Sequence, residues 1–134
     1  MEGDSMNTTL KNGGEFAMEL PLVSDFLTTV RLATGGVCAA SGIDLDYTED
    51  IKVCVTEGLL ILKRNGYIRA RVEFSFTENG KMHCALSGLG DRFGENRSGE
   101  PSDDEISFAL LSALVEENNV TRVGETVTAI TFFA

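Results

Sequence analysis

The chain has no tryptophan, two prolines, one histidine and three cysteines in 134 residues, and each shortage closes off a class of function. His83 has no second histidine or paired cysteine near it in sequence, so it reads as an exposed or rim residue and a histidine-based metal set is excluded. Cys38, Cys54 and Cys84 lie far apart, without the spacing of a zinc knuckle or redox pair, and read as buried reduced thiols of a cytoplasmic protein. No uncharged apolar run is long enough to span a membrane, and no basic head followed by an apolar stretch opens the chain. Positive charge is also short: 11 basic residues stand against 21 acidic ones, for a net charge of -10. That balance repels a phosphate backbone and leaves no basic stripe, so nucleic acid is excluded as a partner.

What is present suits one ordinary soluble domain, with 43% hydrophobic and 24% charged residues. Residues 1–14 are polar, contain three glycines and show no period, which predicts a disordered leader ahead of a single domain over 15–134. Phe16, Met18 and Leu20 alternate with other residues as in a half-buried strand that Pro21 stops. Leu22, Phe26, Val30, Ala33, Val37 and Ala40 predict a helix interrupted by Gly35 and Gly36 and ended by Ser41-Gly42. Asp46 is placed to cap the next helix with Glu49 completing the acidic start, Ile51 to Leu62 is apolar nearly all round, and Asn65-Gly66 stops it. This helix is expected at the centre.

Ile68, Ala70, Val72, Phe74 and Phe76 form one face of a strand. Glu78-Asn79-Gly80 supplies a turn, and Met82, Cys84 and Leu86 return on the same side. Gly88 to Pro101 reads as a loop. A capping box of Ser102 and Glu105 then opens a helix whose core face would be Ile106, Ala109, Leu110, Ala113 and Leu114. Val120 to Val123 and Thr126 to Phe133 predict a last hairpin through Gly124-Glu125. Strands that come in adjacent pairs exclude a doubly wound sheet. The expected fold is α+β, a two-layer sandwich with helices on one face of a mixed, mostly antiparallel sheet.

Glu57 is the carboxylate that could do chemistry, because Ile51, Val53, Cys54, Val55, Leu59, Leu60 and Ile61 surround it in sequence. On the wall of an inner cavity it could act as a general base; otherwise it points outward or bonds a helix end. Gly88, Gly90 and Gly94 could let a loop approach a phosphate, but no phosphate-loop or dinucleotide fingerprint accompanies them.

The stretch from Phe26 to Leu62, with Asp50 to Gly58 reading DIKVCVTEG, resembles the first two helices of the bacterial anti-sigma-factor serine kinases. These belong to the histidine-kinase-like, gyrase and heat-shock ATPase superfamily, and the order of the later elements, with Ser87 to Phe93 reading SGLGDRF, extends the resemblance to the end of the chain. The resemblance implies the histidine-kinase-like ATPase fold, an ATP and magnesium site, Glu57 as the catalytic base of a serine kinase, and binding to a sigma factor and to an anti-sigma antagonist. It also implies a homodimer. Three positions depart from the pattern. Ile61 stands where the family has a magnesium-binding asparagine, and Gly88 where an aspartate reads adenine. Asp103, Asp104 and Glu105 occupy the helix start that should approach phosphate. The chain therefore reads as a degenerate member, a pseudoenzyme expected to need no cofactor, with Gly88, Gly90, Asp91 and Arg92 as a vestigial nucleotide site and no metal ligands. The alternatives are an ATP-dependent serine kinase acting on an anti-sigma antagonist, in which Arg92 and Arg97 supply the missing positive charge, and a helix-over-sheet domain binding a small ligand in an apolar cavity.

Overall fold

The computed structural model describes residues 15–77, 80–90 and 98–133. The expected leader over 1–14, the turn residues 78 and 79, and the loop positions Asp91 and Arg92 lie outside the described residues. The elements are β1 (Glu15–Pro21), α1 (Ser24–Ala40), α2 (Leu45–Arg64), β2 (Arg69–Phe76), β3 (Met82–Leu89), α3 (Pro101–Leu114), β4 (Glu117–Val123) and β5 (Thr126–Phe133). They form one five-stranded sheet in the order β1-β2-β3-β5-β4. All four pairings are antiparallel, so among the described residues the sheet is not mixed. The fold is α+β in two layers, with helices packed against this antiparallel sheet.

Alternation produces the layer. Ala70, Val72, Phe74 and Phe76 of β2 face Gly88, Leu86, Cys84 and Met82 of β3 across the ladder, and all of these except Gly88 are buried. On the far side of β1, Phe16, Met18 and Leu20 pair with Phe74, Val72 and Ala70. In β5 both Val127 and Ile130 turn inward, an odd spacing for a strand. It is allowed because the partner of β4 jumps from Ala129 to Val127 between Thr121 and Arg122, a bulge that resets which residues face the core.

The predicted central helix is α2, which packs against both other helices and against β2, β3 and β5. Ile51, Val55, Leu59, Ile61 and Leu62 are at most 1% exposed, each burial favouring the fold by roughly 1.5 to 3 kcal/mol. The side chain that caps α2 is not Asp46 but Asp44, whose Oδ1 accepts from the Tyr47 amide at 2.9 Å. Gly66, at φ 101°, ends the helix as expected of a left-handed C-terminal glycine.

Two helices present a different face from the one their spacing suggests. α1 begins at Ser24, because the Leu22 amide still donates to the Ile68 carbonyl at 2.8 Å and so belongs to the strand end. Ile68 itself lies before β2 and is 68% exposed. The buried stripe of α1 is Leu27, Val30, Thr34, Val37 and Cys38, whereas Phe26 and Ala40 face outward. Thr34 tolerates burial because its hydroxyl donates to the Val30 carbonyl at 2.7 Å. α3 differs more. Asp104, Ser107 and Leu111 are buried, while Ile106, Ala109, Leu110 and Ala113 are exposed. Its capping pair is Glu100 with Asp103, not Ser102 with Glu105: the Glu100 amide donates to Asp103 Oδ2 at 3.0 Å.

The three thiols are free and buried. Desolvation raises all of them, Cys54 to about 12 and Cys84 well above the ordinary value, so they are poor nucleophiles. His83 sits half-buried on the outer face of the sheet with its ring 4.7 Å from that of Phe133.

Candidate functional site

Glu57 lies on α2, and polar side chains of α2 and α3 meet beside it. The Ser107 hydroxyl donates to Glu57 Oε1 at 2.7 Å. Arg64 Nη2 donates to the same Ser107 oxygen at 2.7 Å, and Arg64 Nε donates to Asp104 Oδ1 at 2.7 Å. Asn65 completes the chain of contacts: its Nδ2 donates to the Ile61 carbonyl at 2.8 Å and to Asp104 Oδ2 at 3.0 Å, and its Oδ1 accepts from the Val127 amide at 3.0 Å. One network thus joins α2, α3 and β5. Every polar group placed in the interior here has a partner, which is what lets Asp104, Ser107 and Asn65 be buried at all.

Ile61, one turn beyond Glu57, is fully buried among core hydrocarbons. Gly88 ends up as a strand residue, not a loop residue, paired with Ala70 and on the inner face. A Cβ there would stand 2.4 Å from Tyr67 Cγ and 2.5 Å from both Cδ atoms. The Tyr67 ring is packed directly on the glycine backbone, and Tyr67 is 4% exposed. Glycine at 88 is thereby required by close packing. Gly90 follows the strand at φ 109° with open space around it, and the structure brings neither it nor Gly88 into contact with Glu57.

Gly88 and Ile61 are the positions that the sequence resemblance assigns to adenine and to magnesium. Where adenine would need an acceptor, Tyr67 covers Gly88; where the cation would need an oxygen ligand, Ile61 packs in the core. The start of α3 turns its own carboxylate onto its free amide through Asp103. Of the described residues, Gly88 and Ile61 offer no side-chain oxygen at these two positions. Among the described residues there is also no group of three or more His, Cys, Asp and Glu side chains that could hold a metal ion.

Sequence reasoning singled out Glu57 and missed Tyr67, Arg64, Asn65, Asp104 and Ser107. The signal for Tyr67 was available in the inward register of Gly88, since a glycine between Leu86 and the end of a strand asks what fills the vacated space. The signal for the others was the pairing of buried-looking Glu57 with serine and aspartate on the third helix, at a separation no local pattern reveals.

The arrangement gives Glu57 a measurable structural role. Glu57→Gln keeps an oxygen facing the Ser107 hydroxyl and is expected to cost less than about 1 kcal/mol, whereas Ser107→Ala removes a donor to Glu57 and an acceptor from Arg64 and is expected to cost about 1 to 3 kcal/mol. Urea unfolding of both variants reads this; a larger loss for Glu57→Gln than for Ser107→Ala would contradict the network.

A separate cleft of about 320 Å³ opens at the other end of α2, lined by Tyr47, Ile51, Phe76 and Met82, with Asp44, Lys81 and Glu116 also on its wall. Lys81 and Glu116 are hydrogen-bonded to each other there. Tyr47 precedes Glu57 by enough residues to put the two roughly 15 Å apart along the axis. No helix among the described residues is long and apolar enough to cross a membrane. Compared with known proteins, the sequence matches no protein-family model, and no curated protein matches it.

Proposed function

We propose that this chain is a regulatory protein-binding module of the anti-sigma type its sequence resembles, working without nucleotide and without catalysis on a histidine-kinase-like scaffold. The observation that carries the reading is the filled interior: the Tyr67 ring on Gly88 and the Glu57–Ser107–Arg64 contacts take the space and the polar groups that a nucleotide would need. The partners this reading assigns are a sigma factor, an anti-sigma antagonist, or both, in the cytoplasm. The kinase alternative requires Glu57 to leave Ser107 and Tyr67 to leave Gly88. A second reading, a small-ligand domain, rests on the cleft beside Tyr47 and Phe76.

Titration calorimetry with ATP and ADP, each with and without magnesium, separates these. No saturable heat is expected. A dissociation constant below about 100 micromolar, roughly 5.5 kcal/mol of binding free energy, restores the kinase reading to first place.

A further inference from the structure

We propose that the outward face of α3, formed by Ile106, Ala109, Leu110 and Ala113, is a docking surface for a basic amphipathic helix of a partner protein. The inference rests on the protein-binding reading above and names the surface and the chemistry of what it takes. α3 is apolar on two sides: Leu111 is buried, with Phe108 and Leu114 packed against the core, and a second apolar side is left in solvent. Asp104 and Ser107 turn inward to Arg64, Asn65 and Glu57, while Ile106 is left 62% exposed and Leu110 39% exposed. Hydrophobic burial and the polar network turn the same side of α3 inward, and Ile106 and Leu110 stay outside it. The exposed positions follow the spacing i, i+3, i+4, i+7, a continuous seam of the kind a second helix packs into. The two alanines within it allow close approach of a partner backbone.

Charge selects the occupant. The sequence of α3 contains no lysine or arginine; Glu100, Asp103 and Glu105 crowd its start, and Glu116 and Glu117 follow its end. A second copy would bring this acidic rim against itself, in a chain whose net charge is -10. A helix with apolar residues along one side and lysine or arginine flanking them complements both the seam and the rim. The described cations near α3 lie off the seam: Arg64 bonds Asp104 and Ser107 on the inward side, Lys81 bonds Glu116 past the helix end, and Arg122 lies 5.8 Å over the Phe108 ring.

The test uses the full chain and two synthetic helical peptides of about 18 residues with the same leucine stripe, one with lysine and one with glutamate at the other positions. Fluorescence anisotropy at low ionic strength is expected to show saturable binding of the leucine-lysine peptide and binding at least about tenfold weaker for the leucine-glutamate peptide. The variant Ile106→Gln/Leu110→Gln, which changes no charge and alters only exposed side chains, is expected to weaken the leucine-lysine peptide by at least about tenfold with an unchanged thermal midpoint. Equal binding by variant and wild type means attraction to net charge alone, and overturns the surface while leaving the protein-binding reading standing. A wild-type dimer in sedimentation that the same variant dissociates assigns the seam to a second copy and also overturns the proposal. The nucleotide titration speaks to the protein-binding reading independently of all these outcomes.

Discussion

Gly88→Asp, the substitution that would supply an adenine-reading carboxylate in the resembled pattern, is expected to lower the unfolding free energy by more than about 3 kcal/mol and to create no nucleotide binding. The new Cβ would stand 2.4 Å from Tyr67 Cγ, the root of the ring rather than a tip that can swing aside. The ring must then leave its buried position, and the carboxylate follows it into the inner face of the sheet without a designed partner. Gly88→Ala isolates the steric part and is expected to cost about 1 to 3 kcal/mol. Adding Tyr67→Ala to Gly88→Asp should recover part of the loss, because it vacates the space that the aspartate needs. Urea midpoints at constant m-value measure all three. A Gly88→Asp protein of wild-type stability that binds ATP would remove the main argument against a nucleotide site.

Arg64→Ala is expected to cost about 3 kcal/mol, from the loss of its charge-assisted bond to Asp104 and its bond to Ser107. The Arg64 and Asp104 side chains are 17% and 11% exposed and meet at 2.7 Å. Removing the guanidinium takes a charged donor from Asp104, which keeps its bond from Asn65, and takes a donor from the Ser107 oxygen. Replacing both charges, as Arg64→Met with Asp104→Leu, should cost less than the sum of the two single replacements, because the pair couples the two sites. A loss below about 1 kcal/mol for the single variant would show that the pair is solvated in solution and that α3 is held by something else.

The parts of this fold that were legible in the sequence are those set by local period. The alternation in Ala70 to Phe76 and Met82 to Leu86 gave the central hairpin, its buried face and the order of elements around it. What local period could not supply was the rotation of α3. Its helical spacing places Ile106 and Leu110 on a plausible core face, and the distant partners Arg64, Asn65 and Glu57 let Asp104 and Ser107 be buried on the side of Leu111 instead. The same holds for α1 on a smaller scale. Val30 and Val37 lie in both candidate stripes, and the choice between Phe26 and Leu27 beside them depends on where the preceding strand ends. At the candidate site Glu57 was conspicuous as a charge in an apolar run, and Ile61 as hydrocarbon; Tyr67, just past a helix stop, carried no periodic signal and acquires its role only from the register that sets Gly88 opposite Ala70.

The pairing of β1 with β2 also bears on how the chain is assembled as it is synthesised. Glu15 must wait for Ser75, and Pro21 for Arg69, while both α1 and α2 emerge in between. Among the described strands β1 stands at an end of the sheet with β2 as its ladder neighbour, so its ladder cannot form until β2 exists. Helices can form early from neighbouring residues, but closing the long span from β1 to β2 is worthwhile only once the inward face of that hairpin offers Phe74, Val72 and Ala70 to cover. The first of the five described strands is thereby secured late, and its Phe16, Met18 and Leu20 wait for the residues of β2 that they pair with.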